Sequence, residues 1–88
     1  MKDVTIYTTT YCPYCTRAKK LLARKGVAFN EIDVTGDDAM RAKLVEMSDG
    51  MKTVPQIFIG GAHVGGFGDL AELEEEGKLD AMLADSQS

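Results

Sequence analysis

The chain has 88 residues, with 10 Lys and Arg against 14 Asp and Glu, a net charge of −4, and 44% hydrophobic residues. A chain of this length makes one domain, 1–88, whose limited core needs an apolar face from every element. The acidic balance lacks the footprint of a general nucleic-acid binder, no apolar run is long enough to cross a bilayer, and no apolar signal region opens the chain. The 2 cysteines lie close together rather than in scattered pairs, which fits a reducing compartment better than a secreted disulfide scaffold. A cytoplasmic, soluble protein is expected.

Val4 to Thr8 is β-branched and aromatic and reads as a strand. It leads to Cys12-Pro13-Tyr14-Cys15, which holds both thiols. Pro13 suits the first position of a helix, so Cys12 falls at or next to the N-cap and Cys15 lies one turn in on the same side, close enough to close a disulfide. A helix N-terminus with nearby cations lowers a cysteine pKa from about 8.5 to roughly 3.5–7.5. Cys12 is therefore the expected nucleophile and Cys15 the resolving thiol. A zinc site needs four protein ligands, or three and a water. With no second cysteine pair and His63 alone, no metal is expected. A structural disulfide closing so short a loop removes little unfolded-state entropy.

From Pro13 to about Lys25 the small or apolar positions Cys15, Ala18, Leu21 and Leu22 recur at helical spacing, and Gly26 stops the helix. Half of the basic residues follow the thiols here: Arg17, Lys19, Lys20, Arg24 and Lys25. A solvated face is the first reading of that cluster, and docking of small anionic substrates the second. Val27 to Val34 reads as a second strand. Thr35 to Asp38 is turn and cap material before a helix with Met40, Leu44 and Met47 on one face, ending near Gly50, with the methionines as core filler. Gln56 to Ile59, the turn Gly60-Gly61 and Ala62 to Val64 form a β-hairpin. Asp69 with Glu72 three residues on resembles a capping box opening a helix with Leu70 and Leu73, which Gly77 breaks. Glu74, Glu75 and Glu76 read as a solvated face, Leu79, Met82 and Leu83 as one more helical turn or two, and Asp85 to Ser88 as a fraying end. His63 reads as a surface or edge residue of its short strand. The order is βαβ, a helix, then ββα.

That order, with Cys12-Pro13-Tyr14-Cys15 after the first strand, Thr53-Val54-Pro55-Gln56-Ile57-Phe58 at the third, and Gly65-Gly66 with Asp69-Leu70, resembles the thioredoxin fold and, more narrowly, the dithiol glutaredoxins, compact bacterial members above all. The resemblance covers nearly the whole chain. It implies an α/β, thioredoxin-like fold with a four-stranded mixed sheet flanked by helices. An X-Pro step before a strand reads on its own as an ordinary trans turn; the resemblance implies instead that Val54-Pro55 is cis and lies against the thiols.

It also implies a glutathione site. The Val54 backbone would present a strand edge to the cysteinyl part of the tripeptide, between Thr53 and Pro55. Phe67, Gly68 and Asp69 match the segment that holds the γ-glutamyl end, where helix N–H groups suit a carboxylate and Asp69 takes the ammonium while capping its helix. Tyr14 would flank the tripeptide, and Arg41 and Gln56 are candidates for its glycyl carboxylate, against the alternative of a solvated arginine. Two departures stand out. Thr9 occupies a place where many members carry a lysine, leaving acidification of Cys12 to the helix terminus and to Arg17 or Lys19. Phe67 stands where a third cysteine is common.

The activity implied is glutathione-dependent reduction of protein-glutathione mixed disulfides by Cys12, and of protein disulfides by Cys12 with Cys15. Glutathione is the reducing co-substrate, replenished indirectly by the glutathione reductase system. Partners are glutathionylated or disulfide-containing proteins, with no nucleic acid and no membrane, and the chain is expected to be a monomer. The alternatives are a thioredoxin-reductase-linked electron donor and a glutathione-ligated iron-sulfur scaffold.

Overall fold

The computed structural model describes residues 2–84. The expected fraying of Asp85 to Ser88 lies outside the described residues. The elements run β1 (Val4–Thr8), α1 (Pro13–Arg24), β2 (Asn30–Asp33), α2 (Asp38–Met47), β3 (Gln56–Ile59), β4 (Ala62–Gly65), α3 (Phe67–Glu75) and α4 (Leu79–Leu83). The sheet order is β2-β1-β3-β4. β1 pairs in parallel with β2 and antiparallel with β3, and β3 pairs antiparallel with β4. This is the mixed sheet of the thioredoxin fold, as expected.

Side chains of successive strand residues point to opposite faces, and the sheet separates two apolar clusters on that basis. Val4, Ile6, Ile57 and Ile59 join Ala18, Leu21 and Leu22 of α1, Leu70 of α3 and Leu79 and Leu83 of α4. Tyr7 and Phe58 belong to a smaller cluster with Val34 and Leu44 of α2. With both faces covered, every residue of β3 is buried, which is why its sequence runs apolar instead of alternating. The hairpin turns at Gly60 and Gly61, whose φ values of 58° and 85° meet the left-handed requirement of a tight primed turn.

Three sequence expectations need correction. The second strand is shorter than Val27 to Val34, because Val27 still donates its N–H to Leu22 O at 3.0 Å as the chain leaves α1, and pairing with β1 begins only at Asn30 opposite Thr5. Met47 is 39% exposed; among the α2 residues only Leu44 is buried, in the smaller cluster, with Met40 packed against it. Glu74 is not simply solvated. Lys25 places its ammonium 2.8 Å from Glu74 and 2.8 Å from Asp80, tying the end of α1 to α3 and α4.

A second polar link joins α1 to the sheet. Lys19 Nζ lies 2.9 Å from Glu31 Oε2, which also accepts from Thr8 Oγ1 at 2.8 Å. These donors, Lys19 first, hold the Glu31 carboxyl below its ordinary pKa. A carboxyl depressed in the folded state adds stability that is complete above its unfolded pKa, about 4.3, and is lost as pH falls through the lower folded value. Urea midpoints of the native chain and of Glu31→Gln are expected to differ at pH 6 and to converge below about pH 4. Curves that stay parallel across this range would show that the link contributes nothing through its charge.

Candidate active site

Cys12 is the N-cap of α1, in extended conformation, with Pro13 as the first helical residue. Its sulfur accepts the Cys15 N–H at 3.2 Å, satisfying one of the helix's orphan donors. Its thiol also reaches across the fold to the Val54 carbonyl at 3.5 Å. Cys12 is partly exposed and Cys15 buried, and both are free thiols. Cys15 is 1% exposed, and this burial, with the bond to Cys12 next, pushes its thiol up to about 12. The contributions from Cys12, hydrogen bond and like charge, exist only while Cys12 is uncapped.

The Val54-Pro55 bond is cis. Ahead of it, three consecutive carbonyls are each held from a different element: Lys52 O accepts from Arg41 Nη2 of α2 at 3.2 Å, Thr53 O from Gln56 Nε2 of β3 at 3.0 Å, and Val54 O from Cys12. Among the described residues the Val54 N–H has no partner, so the segment offers an unpaired backbone donor beside the thiol.

α3 begins at Phe67, with Gly66 as its N-cap. Asp69 is thus the third helical residue rather than the cap, and its Oδ2 accepts the Gly66 N–H at 3.0 Å. Glycine has no side chain to return the bond, so this is half of a capping box. The expected box of Asp69 with Glu72 does not form. The leading N–H groups of α3, at Phe67, Gly68 and Asp69, have no intrahelical acceptor, and Asp69 is exposed with its second oxygen free. Gly65 makes the fold-back possible. Its φ is 124°, and a Cβ there would collide with the Asp69 carboxylate.

A cleft of about 270 Å³ joins these features, lined by Tyr14, Thr53, Val54, Pro55, Gly66, Phe67 and Gly68. Tyr14 is 55% exposed. Its ring stacks on Phe67 at 6.3 Å between centroids, and the Arg17 guanidinium lies over the ring at 5.3 Å from its centroid. Cys12 and Asp69 adjoin the cleft through Val54 and Gly66, whereas Arg41 bonds the carbonyl of Lys52, the residue before Thr53. Gln56 does not. It is 0% exposed, its amide nitrogen is committed to Thr53 and its oxygen to His63 Nε2 at 2.7 Å, so no polar atom is left for a glycyl carboxylate. His63 lies on the edge strand β4, as expected, and is partly buried against Phe58. Arg17 and Lys19, expected to help acidify Cys12, are occupied with Tyr14 and Glu31.

The sequence names Gly65-Gly66 within the resemblance but does not single out Gly66 as a site residue, and the structure makes it a cleft wall and helix cap. A glycine pair directly before a helix start was the available signal.

The family comparison decides what this dithiol site belongs to: the glutaredoxin family model matches residues 4–64. The chain is a member of the glutaredoxin family. It is 57% identical over 84 residues to a glutaredoxin of Pseudomonas aeruginosa, covering 96% of this chain and 99% of that one. It is 49% identical over 83 residues to glutaredoxin 3 of Escherichia coli K12, covering 94% and 99%. Among solved structures, the buckwheat glutaredoxin-glutathione complex superposes with a TM-score of 0.87 at 38% identity, over 93% of this chain and 76% of that chain. A glutaredoxin of Brucella melitensis, at 59% identity, gives 0.84 over 94% and 89%. As a glutaredoxin, the chain is a thiol-disulfide oxidoreductase, and its Cys12-Cys15 spacing is the family's dithiol arrangement. Among the described residues no helix is long and apolar enough to cross a membrane.

Proposed function

We propose that the chain is a glutathione-dependent oxidoreductase that reduces protein-glutathione mixed disulfides through Cys12, and protein disulfides through Cys12 and Cys15. The observation that carries this reading is one cleft with Val54, whose N–H is unpaired among the described residues, and the helix start at Phe67 and Gly68 in its walls, adjoined by Cys12 through Val54 O and by Asp69 through the Gly66 N–H. A γ-glutamyl tripeptide has a thiol, a cysteinyl backbone and a terminal carboxylate with an ammonium. The cleft offers a sulfur, a strand edge, N–H donors and the second Asp69 oxygen in that order. Arg41, already at Lys52 O, has further donors for the glycyl carboxylate. The buckwheat structure, whose protein is bound to glutathione, supports the reading by its likeness to this chain.

The chemistry is thiol-disulfide exchange. The Cys12 thiolate attacks the glutathionyl sulfur, the mixed disulfide's S–S bond breaks, and the protein thiolate leaves and takes a proton. A second glutathione thiolate attacks the Cys12-bound glutathionyl sulfur, giving glutathione disulfide and free Cys12. With a protein disulfide, Cys12 forms a mixed disulfide to the protein and Cys15 attacks the Cys12 sulfur, expelling the reduced product and closing Cys12-Cys15. Two glutathiones reopen that bridge. Glutaredoxins hold reduction potentials of about −200 to −230 mV, near the glutathione pool, so small concentration changes set the direction. The chain does this as a monomeric domain in the cytoplasm, fed by a glutathione pool that glutathione reductase keeps reduced.

Trapping the intermediate tests the reading. Cys15→Ser treated with glutathione disulfide is expected to gain one glutathionyl group, on Cys12, with backbone amide shifts at Val54 and at Phe67 to Asp69 in addition to those at the start of α1, where the residue-15 N–H bonds the Cys12 sulfur. An adduct without shifts at Val54 or at Phe67 to Asp69 would contradict the site.

A further inference from the structure

We propose that His63 is a positioning residue for the substrate strand, acting through Gln56 on Thr53. The inference rests on the glutathione reading above and adds to it a residue that touches no part of the cleft.

Gln56 follows the cis Pro55 directly and is wholly buried. Its amide nitrogen donates to Thr53 O at 3.0 Å and lies 3.4 Å from Thr53 Oγ1. This fixes the orientation of the amide, since the reverse would set two oxygens against each other at Thr53 O. The Gln56 oxygen therefore faces His63 and must accept, so His63 Nε2 carries the proton in the 2.7 Å bond. Phe58, opposite His63 in the ladder, packs on its ring at 5.1 Å and fixes the ring's plane.

The result is a chain of bonds from β4, through β3, to the carbonyl just before Val54. Gln56 is buried, so neither end can be replaced by water without cost. Without His63, the buried Gln56 oxygen is left unpaired, and the amide is no longer held in the orientation that grips Thr53. Thr53 O is one of the three carbonyls that set the direction of the Val54 N–H. The expected consequence is a looser strand edge for the tripeptide and unchanged thiol chemistry, because Cys12 and Cys15 sit on α1 and make no bond to this chain of groups except at Val54 O.

The test is steady-state kinetics on a glutathionylated peptide with His63→Ala and His63→Gln, whose amide nitrogen reaches about as far as Nε2. His63→Ala is expected to raise KM about five- to tenfold with kcat within about twofold, and His63→Gln to restore KM to near the native value. Thermal melts of both variants separate this from general loosening. An unchanged KM with reduced kcat or Tm would overturn the proposal, as would equal impairment in the two variants. If the native chain itself shows no saturable turnover, the glutathione reading falls and this inference with it; native turnover with a silent His63→Ala sinks this inference alone.

Discussion

Cys12→Ser is expected to abolish turnover of a glutathionylated substrate, by about 10³-fold or more, while Cys15→Ser keeps most of it. The asymmetry comes from their places on one helix. Cys12 is the N-cap, partly exposed and bonded to Val54 O at the cleft wall, whereas Cys15 is buried one turn in with its thiol pushed up to about 12, burial first among the causes. A thiol that holds its proton so firmly does not initiate exchange at neutral pH. In the proposed mechanism Cys15 is needed only where the product must be expelled from a protein mixed disulfide, so Cys15→Ser is expected to stall on a disulfide-bonded protein substrate and accumulate the covalent complex. Comparable losses in both variants on the glutathionylated substrate would contradict the division of roles.

Gly65→Ala carries the second large effect. It forces a residue with a Cβ to a φ of 124° and drives that Cβ into the Asp69 carboxylate, which cannot retreat without releasing the Gly66 N–H. Backbone strain and overpacking of this kind cost about 2–4 kcal/mol together. Gly61→Ala is the matched control, since its φ of 85° is also left-handed but a Cβ there meets nothing within 4 Å, leaving strain alone, about 1 kcal/mol. Urea denaturation of both, and of Gly65→Ala combined with Asp69→Ala, separates the contributions. The double variant is expected to regain part of the stability lost in Gly65→Ala, because the colliding group is gone. No recovery would mean that the Asp69 contact is not what Gly65 accommodates.

Most of the architecture is legible in the residues. Pro13 after Cys12, the helical recurrence from Cys15 to Leu22, and Gly60-Gly61 between apolar runs each name a local structure whose cause is local. The errors fall where a neighbour decides. Asp69 and Glu72 have the spacing of a capping box, but the helix starts three residues earlier, with Gly66 as its cap and Phe67 as its first residue, because the Gly66 N–H can be capped by a carboxylate reaching back. Gln56 looks like a polar ligand candidate beside Pro55. Strand alternation puts it on the face of Phe58, opposite Tyr7 in the ladder, and only the arrival of His63 on the next strand shows where its oxygen goes. Met47 matches the helical face of Met40 and Leu44, yet it lines an open surface pocket with Thr5, Tyr7 and Phe58 and stays exposed. The candidate cleft is similar. Tyr14, Thr53, Val54, Pro55, Phe67 and Gly68 are brought together from distant parts of the chain, and their convergence follows from the fold, not from any one stretch.

The glutathione dependence is tested most directly by following NADPH consumption through glutathione reductase, with a small glutathione mixed disulfide as substrate and glutathione as the only thiol reductant. Saturable turnover that disappears in Cys12→Ser is the predicted result. Absence of turnover, with the Cys12-Cys15 disulfide still reduced by thioredoxin reductase, would contradict the account and make the Phe67 to Asp69 segment a helix start with no ligand to hold.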